Sequence, residues 1–272
     1  MKIVNIIEDT TENNELFAEH GLCFYVETEK HKMLIDTGAS ALTWKNAEKL
    51  GIDLHLIDTV ILSHGHYDHC GGVMSFAEIN SHADIFMHKN AVNDFYNIKG
   101  GFEKYIGIDK NILKLKQLKL IDSDLKIDEE ISVFSNVIER INWPESNLTL
   151  RKRDNNHLVQ DDFSHEQYVV IDSENKLVLI SGCAHNGIIN ILNRFNLIYG
   201  RDPDYVFSGF HMNRNSDFSP EDLKAIEETA DKLSKMKTEF YTGHCTGLPA
   251  FELLAERMSN IHLIYSGFLR TL

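Results

Sequence analysis

The chain has 272 residues, 41 acidic against 27 basic, for a formal net charge of −14. That balance excludes nucleic acid as the main partner, because a phosphate backbone demands a basic footprint. No apolar run approaches the roughly 20 residues of a membrane span, so no membrane partner is expected.

The length permits one large α/β domain or two small ones. No apolar h-region follows the N-terminal Met-Lys, so no secretory signal is expected. Cys23, Cys70, Cys183 and Cys245 show no paired spacing, which suits a reduced, cytoplasmic protein.

In chain order, residues 2–7 read as a strand and residues 8–14 as a polar loop. Residues 22–27 and 33–35 read as a hairpin pair, the second strand ending at Asp36-Thr-Gly38. Residues 40–50 carry apolar side chains at helical intervals, with Gly51 as the stop. The apolar run 58–62 is a buried strand that opens into Ser63-His-Gly-His-Tyr-Asp-His-Cys-Gly-Gly72. A helix is expected from 73 to 79, a strand from 83 to 87 and a helix from 89 to 98.

Residues 99–165 are the least patterned. They offer strand candidates near 116–121 and 131–137, Gly100-Gly101, and the triplet Arg151-Lys-Arg153, which reads as a solvated face. A loop-rich stretch inside a domain is where specificity often resides, so this segment is expected to shape a substrate pocket.

From residue 167 the pattern sharpens. Residues 168–172 and 177–180 form a hairpin, ending in Ser181-Gly-Cys-Ala-His-Asn-Gly187. A helix follows over 188–198, then a strand over 205–207 ending in Gly209-Phe-His211. Ser219 caps a helix that runs to 233, with Pro220 at its first position and acids in its first turn. A strand over 239–241 ends in Thr242-Gly-His-Cys-Thr-Gly247. A helix over 249–258 and a strand over 261–266 close the chain.

The chemistry concentrates at strand ends. His64, His66, Asp68 and His69 fall within six positions, so gathering them round an ion costs little chain entropy. Imidazole with carboxylate suits zinc, iron or manganese better than calcium or magnesium. Asp36, Cys183, His185, His211 and His244 also stand beside glycines just past strands. If those ends converge on one edge, they build a single site. His31, His55, His82, His157 and His262 have no such context.

His64-x-His66-x-Asp68-His69 after an apolar strand resembles the signature of the metallo-β-lactamase superfamily. Asp36-Thr-Gly38 and His244 resemble its first and last motifs, and the likeness covers essentially the whole chain. Glu19-His-Gly21, Ser181-Gly-Cys-Ala-His185, Gly209-Phe-His211 and His244-Cys-Thr-Gly247 resemble one branch. That branch carries the name 7,8-dihydropterin-6-methyl-4-(β-D-ribofuranosyl)-aminobenzene-5′-phosphate synthase.

The resemblance implies one α/β domain over 1–272, a four-layer αβ/βα sandwich with the active site at one edge of its two sheets. It implies two divalent metal ions, zinc first and manganese or iron as alternatives. His64, His66 and His185 would hold one ion; Asp68, His69 and His244 the other. Many relatives place a bridging Asp where this chain has Cys183, which is either a thiolate ligand or a small packed hydrophobe. His165 or Glu166 is a further, weaker ligand candidate. Asp36 would orient a ligating imidazole from behind. Asp68 would orient the nucleophile, and His211 would face substrate as a catalytic group, with His20 nearby.

His66 stands where redox di-iron relatives carry Glu, which favours hydrolysis. The expected function is a metal-dependent hydrolase of a small anionic ester, a phosphate ester or phosphodiester, acting through hydroxide generated at the metal. Two alternatives remain open. One is the synthase-type transfer, joining a pterin diphosphate to an aminobenzene ribotide. The other is a non-enzymatic metal or ligand sensor.

Overall fold

Alternation along the strands sets the layering of the computed structural model, which describes residues 1–214 and 217–272. Successive side chains of a strand point to opposite faces. In the strand Thr59–Leu62, Val60 and Leu62 face one layer and Ile61 the other. In Lys176–Ile180, Leu177 and Leu179 face one layer, Val178 and Ile180 the other. All of these residues are buried, because each sheet is covered on both faces.

The first seven-stranded sheet runs Leu269–Thr271, Lys2–Ile7, Cys23–Glu27, Lys32–Ile35, Thr59–Leu62, Asp84–His88, Leu118–Ile121. The second runs Ile261–Leu263, Glu239–Thr242, Tyr205–Phe207, Lys176–Ile180, Tyr168–Ser173, Ile131–Phe134, Leu125–Lys126. Ile3, Phe24, Ile35 and Ile61 of the first meet Val169, Ile180, Phe207 and Tyr241 of the second in one shared core. Truncating such a residue, Ile61→Ala for instance, costs about 2–5 kcal/mol.

Helices cover the outer faces. Leu42–Lys49 and Val73–Ile79 bring Trp44, Ala47, Val73 and Phe76 onto the first sheet. Ile188–Tyr199, Pro220–Leu233 and Leu248–Ala255 cover the second. The expected cap is present: the Ser219 side chain accepts from Asp222 N–H, and the Asp222 carboxylate accepts from Ser219 N–H. The layers are therefore helix, sheet, sheet, helix, the expected αβ/βα sandwich. No helix among the described residues is long and apolar enough to cross a membrane.

The segment 99–165 differs most from expectation. The helix expected over 89–98 is a 3-10 turn, Lys89–Val92, followed by the strand Phe95–Lys99. Gly100 and Gly101 turn that strand back into Phe102–Tyr105, with Lys99 paired to Phe102. Both glycines have positive φ, +58 and +82, as a two-residue hairpin turn of this kind requires. Leu150–Asp154 and His157–Gln160 complete a four-stranded third sheet.

Arg151, Lys152 and Arg153 lie on this sheet half-buried and engaged, not as a solvated face. Lys152 pairs with Asp162 at 2.6 Å, and Arg153 donates to the Tyr96 hydroxyl at 2.8 Å. The remainder of the segment supplies the edge strand Leu118–Ile121 to the first sheet and the last two strands, Ile131–Phe134 and Leu125–Lys126, to the second. A small core of Phe95, Ile106, Leu150 and Phe163 lies beneath the third sheet, and it abuts the site described next.

Candidate metal centre

Lys32–Ile35 and Thr59–Leu62 are parallel neighbours in the first sheet. Lys176–Ile180, Tyr205–Phe207 and Glu239–Thr242 are parallel neighbours in the second. Asp36, His64, Cys183, His211 and His244 all stand just past the C-terminal ends of these strands. Because the two sheets face each other, the ends meet at one edge. Asp36, Ala184, His211 and His244 have φ of 62, 53, 53 and 49. Non-glycine residues hold such angles only where the surroundings over-determine them.

His64, His66 and His185 form one half. Nε2 of His64 lies 3.1 Å from Nδ1 of His66. The His185 ring centroid is 4.9 Å from each of theirs. Ser63 Oγ gives its proton to Asp36, so it accepts from His64 Nδ1–H at 2.8 Å and leaves the lone pair on Nε2. The Asn147 amide nitrogen donates to the His185 carbonyl, so its Oδ1 accepts from His185 Nδ1–H at 2.9 Å. Nε2 of His185 is then a buried lone pair with no protein partner. Burial, reinforced by neighbouring imidazoles, holds His64 and His185 well below their ordinary pKa. Burial likewise lowers His66, to about 3. Neutral imidazole is the form that binds metals.

Asp68, His69 and His244 form the other half. Nδ1 of His69 donates to Asp36 at 2.6 Å, and Nδ1 of His244 donates to Asp9 at 2.6 Å. Their Nε2 atoms face each other at 3.2 Å. Asp68 Oδ2 lies 3.6 Å from the first and 3.5 Å from the second.

Two lone pairs at that distance repel unless a cation lies between them. Burial disfavours a charged His244 imidazole, but the carboxylates of Asp68 and Asp9 outweigh it and hold its pKa well above the ordinary value. The facing lone pairs and the Asp68 carboxylate suit a divalent cation. The residues present therefore suit a metal in both halves, with second partners fixing each imidazole.

Cys183 lies between the halves. Its Sγ is 3.2 Å from His69 Nε2. It groups with Asp68, His69 and His244 on one side and with His64 and His185 on the other. Burial pushes its thiol pKa well above the ordinary value in the absence of a cation.

His20 stands at the mouth, exposed, stacked on His244 at 4.9 Å. Its Nδ1 lies 2.9 Å from Asp9, and its Nε2 lies 3.4 Å from Asp68. His211 lies 4.1 Å from His185, and both its ring nitrogens lack a partner.

Two candidates are otherwise engaged. His165 accepts from Gly65 N–H and pairs through Nε2 with Asp161, so both of its nitrogens are used. Glu166 accepts from the His185 and Asn186 amides and the Tyr168 hydroxyl. It shapes the 184–187 turn.

Three residues escaped the sequence reading: Asp9, Ser63 and Asn147. Asp9 did leave a signal, being an acid two residues past a strand that runs in the same direction as Lys32–Ile35. Asn147 left none, since a 3-10 turn in the weakly patterned segment delivers it.

Fold and site together define a metal-dependent enzyme of the metallo-β-lactamase fold. The chain belongs to the metallo-beta-lactamase superfamily, whose family model matches residues 17–241.

Among its relatives is a Methanocaldococcus jannaschii protein named 7,8-dihydropterin-6-methyl-4-(beta-D-ribofuranosyl)-aminobenzene-5'-phosphate synthase. The two are 31% identical over 94% of this chain and 91% of that protein. An uncharacterised protein of the same organism is 28% identical over 93% of this chain and 94% of its own length. The crystal structure of Tm1679, a metal-dependent hydrolase of the beta-lactamase superfamily, superposes with a TM-score of 0.84 at 29% identity. That match covers 100% of this chain and 99% of that one. Zn(2+)-bound PqqB from Methylobacterium extorquens shares the fold, with a TM-score of 0.59 at 11% identity over all of both chains.

Proposed function

We propose that the chain is a two-cation hydrolase of a small anionic ester, with a phosphate ester or phosphodiester as the leading substrate class. The observation that carries this reading is the pair of His69 and His244 lone pairs facing at 3.2 Å beside Asp68. His64, His66 and His185 would hold one ion; Asp68, His69 and His244 the other, with zinc first and manganese or iron as alternatives. Bound there, divalent ions supply Lewis acidity and lower the pKa of a coordinated water.

The chain's own groups do the rest. Asp68, its pKa driven well below the ordinary range by histidines that outweigh its burial, accepts a hydrogen bond and orients the nucleophile. His211 offers two unpartnered ring nitrogens to the substrate. His20, tethered by Asp9 through Nδ1, can hold a proton at Nε2, 3.4 Å from Asp68. Arg214 is engaged by Asp222 and Glu145, so it offers little free charge to an anion. On a chain of net charge −14, metal ions would supply the local positive charge that draws an anion. Phe95 of the third sheet packs on the His66 ring, so that sheet would form one wall of the pocket. A reducing cytoplasm would keep Cys183 free as a thiol.

Metal analysis with a chromogenic phosphodiester assay tests the reading. Bound divalent metal and turnover that His66→Ala abolishes support it. Metal-free protein from metal-replete medium, or full activity in His66→Ala, overturns it.

The synthase-named relative at 31% identity favours a second reading, transfer onto or from a pterin. Release of pyrophosphate from a pterin diphosphate only when an aminobenzene ribotide is present would select it over hydrolysis.

A further inference from the structure

We propose that Cys183 is a bridging ligand, its thiolate shared by both cations. The inference rests on the two-cation reading above and adds the residue that joins the halves. Among the described residues, Cys183 is the one that groups both with Asp68, His69 and His244 and with His64 and His185, the ligand atoms of each group lying within 4.8 Å of one another. Its Sγ lies 3.2 Å from His69 Nε2, on the side where that lone pair points.

The backbone holds it there firmly. The Gly182 carbonyl accepts from Gly209 N–H at 2.8 Å, and Ala184 just beyond sits at φ 53. A side chain at Gly182 would meet Ser63 Oγ at 2.2 Å, so the strand end is pressed against the His64 support. The neighbouring thiol of Cys245 groups with Cys183 and His211 but with none of the six proposed ligands; it donates to the Cys183 carbonyl and accepts from His211 N–H.

Charge points the same way. Asp68 is the sole carboxylate in the two groups. Two divalent ions against one carboxylate leave a large positive excess in a buried site, and a second anion between them reduces it. On metal binding the thiol proton leaves to solvent and the S–metal bonds form, with no redox change. A soft sulfur bridge selects zinc, iron or cobalt over magnesium, calcium or manganese.

Titration of the metal-free protein with cobalt(II) tests this without any substrate. The expected result is a near-ultraviolet thiolate-to-cobalt charge-transfer band that keeps growing through the second equivalent. It persists in Cys245→Ser and vanishes in Cys183→Ser. Cys183→Asp restores binding of two ions with no band.

Two bound cobalt ions without a band in the unaltered protein overturn the bridge and leave the two-cation reading intact. So does a band complete at one equivalent, or one retained in Cys183→Ser. No cobalt binding at all overturns both. In the unaltered chain, no band, or a band complete at one equivalent, overturns the bridge even if Cys183→Ser fails to fold.

Discussion

Oδ2 of Asp36 lies 2.6 Å from Nδ1 of His69, and both groups are buried. The same oxygen accepts the Ser63 hydroxyl at 2.7 Å, and Ser63 in turn accepts from His64. One carboxylate therefore orients an imidazole in each half of the site, one directly and one through a hydroxyl. Asp36→Asn keeps the size but presents a donor to donors. It is expected to lower affinity for both ions by roughly 10–100-fold. Equilibrium dialysis against a metal buffer measures this, and unchanged affinity at both sites would contradict it.

Asp9 acts on one half only. It orients His244 and tethers His20, and no hydrogen bond connects it to His64, His66 or His185. Burial raises its pKa, yet the hydrogen bonds from His20 and His244 outweigh that and drive it well below the carboxylate range. Asp9→Asn should lower occupancy of the Asp68–His69–His244 half and leave the other filled. Metal content should fall from two ions per chain towards one. Equal loss from both halves would count against this division.

Gly182 sets a steric limit. An added Cβ would meet Ser63 Oγ at 2.2 Å and His64 Nδ1 at 3.1 Å. Gly182→Ala should destabilise the protein by about 1–3 kcal/mol through overpacking. It should also weaken metal binding at the His64 half. Urea unfolding and metal titration read the two effects, and a variant with native values in both would refute the account of this contact.

His88 predicts an acid-sensitive stability. Burial, with His165 and Lys89 nearby, lowers its pKa to about 4 from the ordinary 6.5. Between those values the unfolded chain binds a proton that the folded chain refuses. Stability therefore falls as pH drops below about 6.5, and this group's contribution to the loss levels off below about 4. In metal-free protein, His88→Gln should lose less stability than the unaltered chain between pH 7 and pH 5. Parallel pH profiles would show that His88 does not contribute.

The strands that end at the site were legible because each is an apolar run stopped by a glycine-adjacent polar group, as at Asp36, His64 and His244. The His64–His69 loop was legible because its ligands are local. Asp9 and Asn147 were not, since tertiary approach alone brings them to His244 and His185. The third sheet was hidden for another reason. Its strands are half-exposed, and Leu150-Arg-Lys-Arg-Asp154 carries charges that are bonded on and beside the sheet, so no clean alternation marks it. The helix expected over 89–98 failed where the Gly100-Gly101 turn, which closes the Phe95–Tyr105 hairpin, went unrecognised.

The proposed function seats one cation among His64, His66 and His185 and a second among Asp68, His69 and His244. Anomalous diffraction from crystals grown with zinc or cobalt locates them. Two anomalous peaks are expected, one within ligand distance of each set, with Cys183 between them. A single peak at full occupancy, or peaks away from these residues, would contradict it.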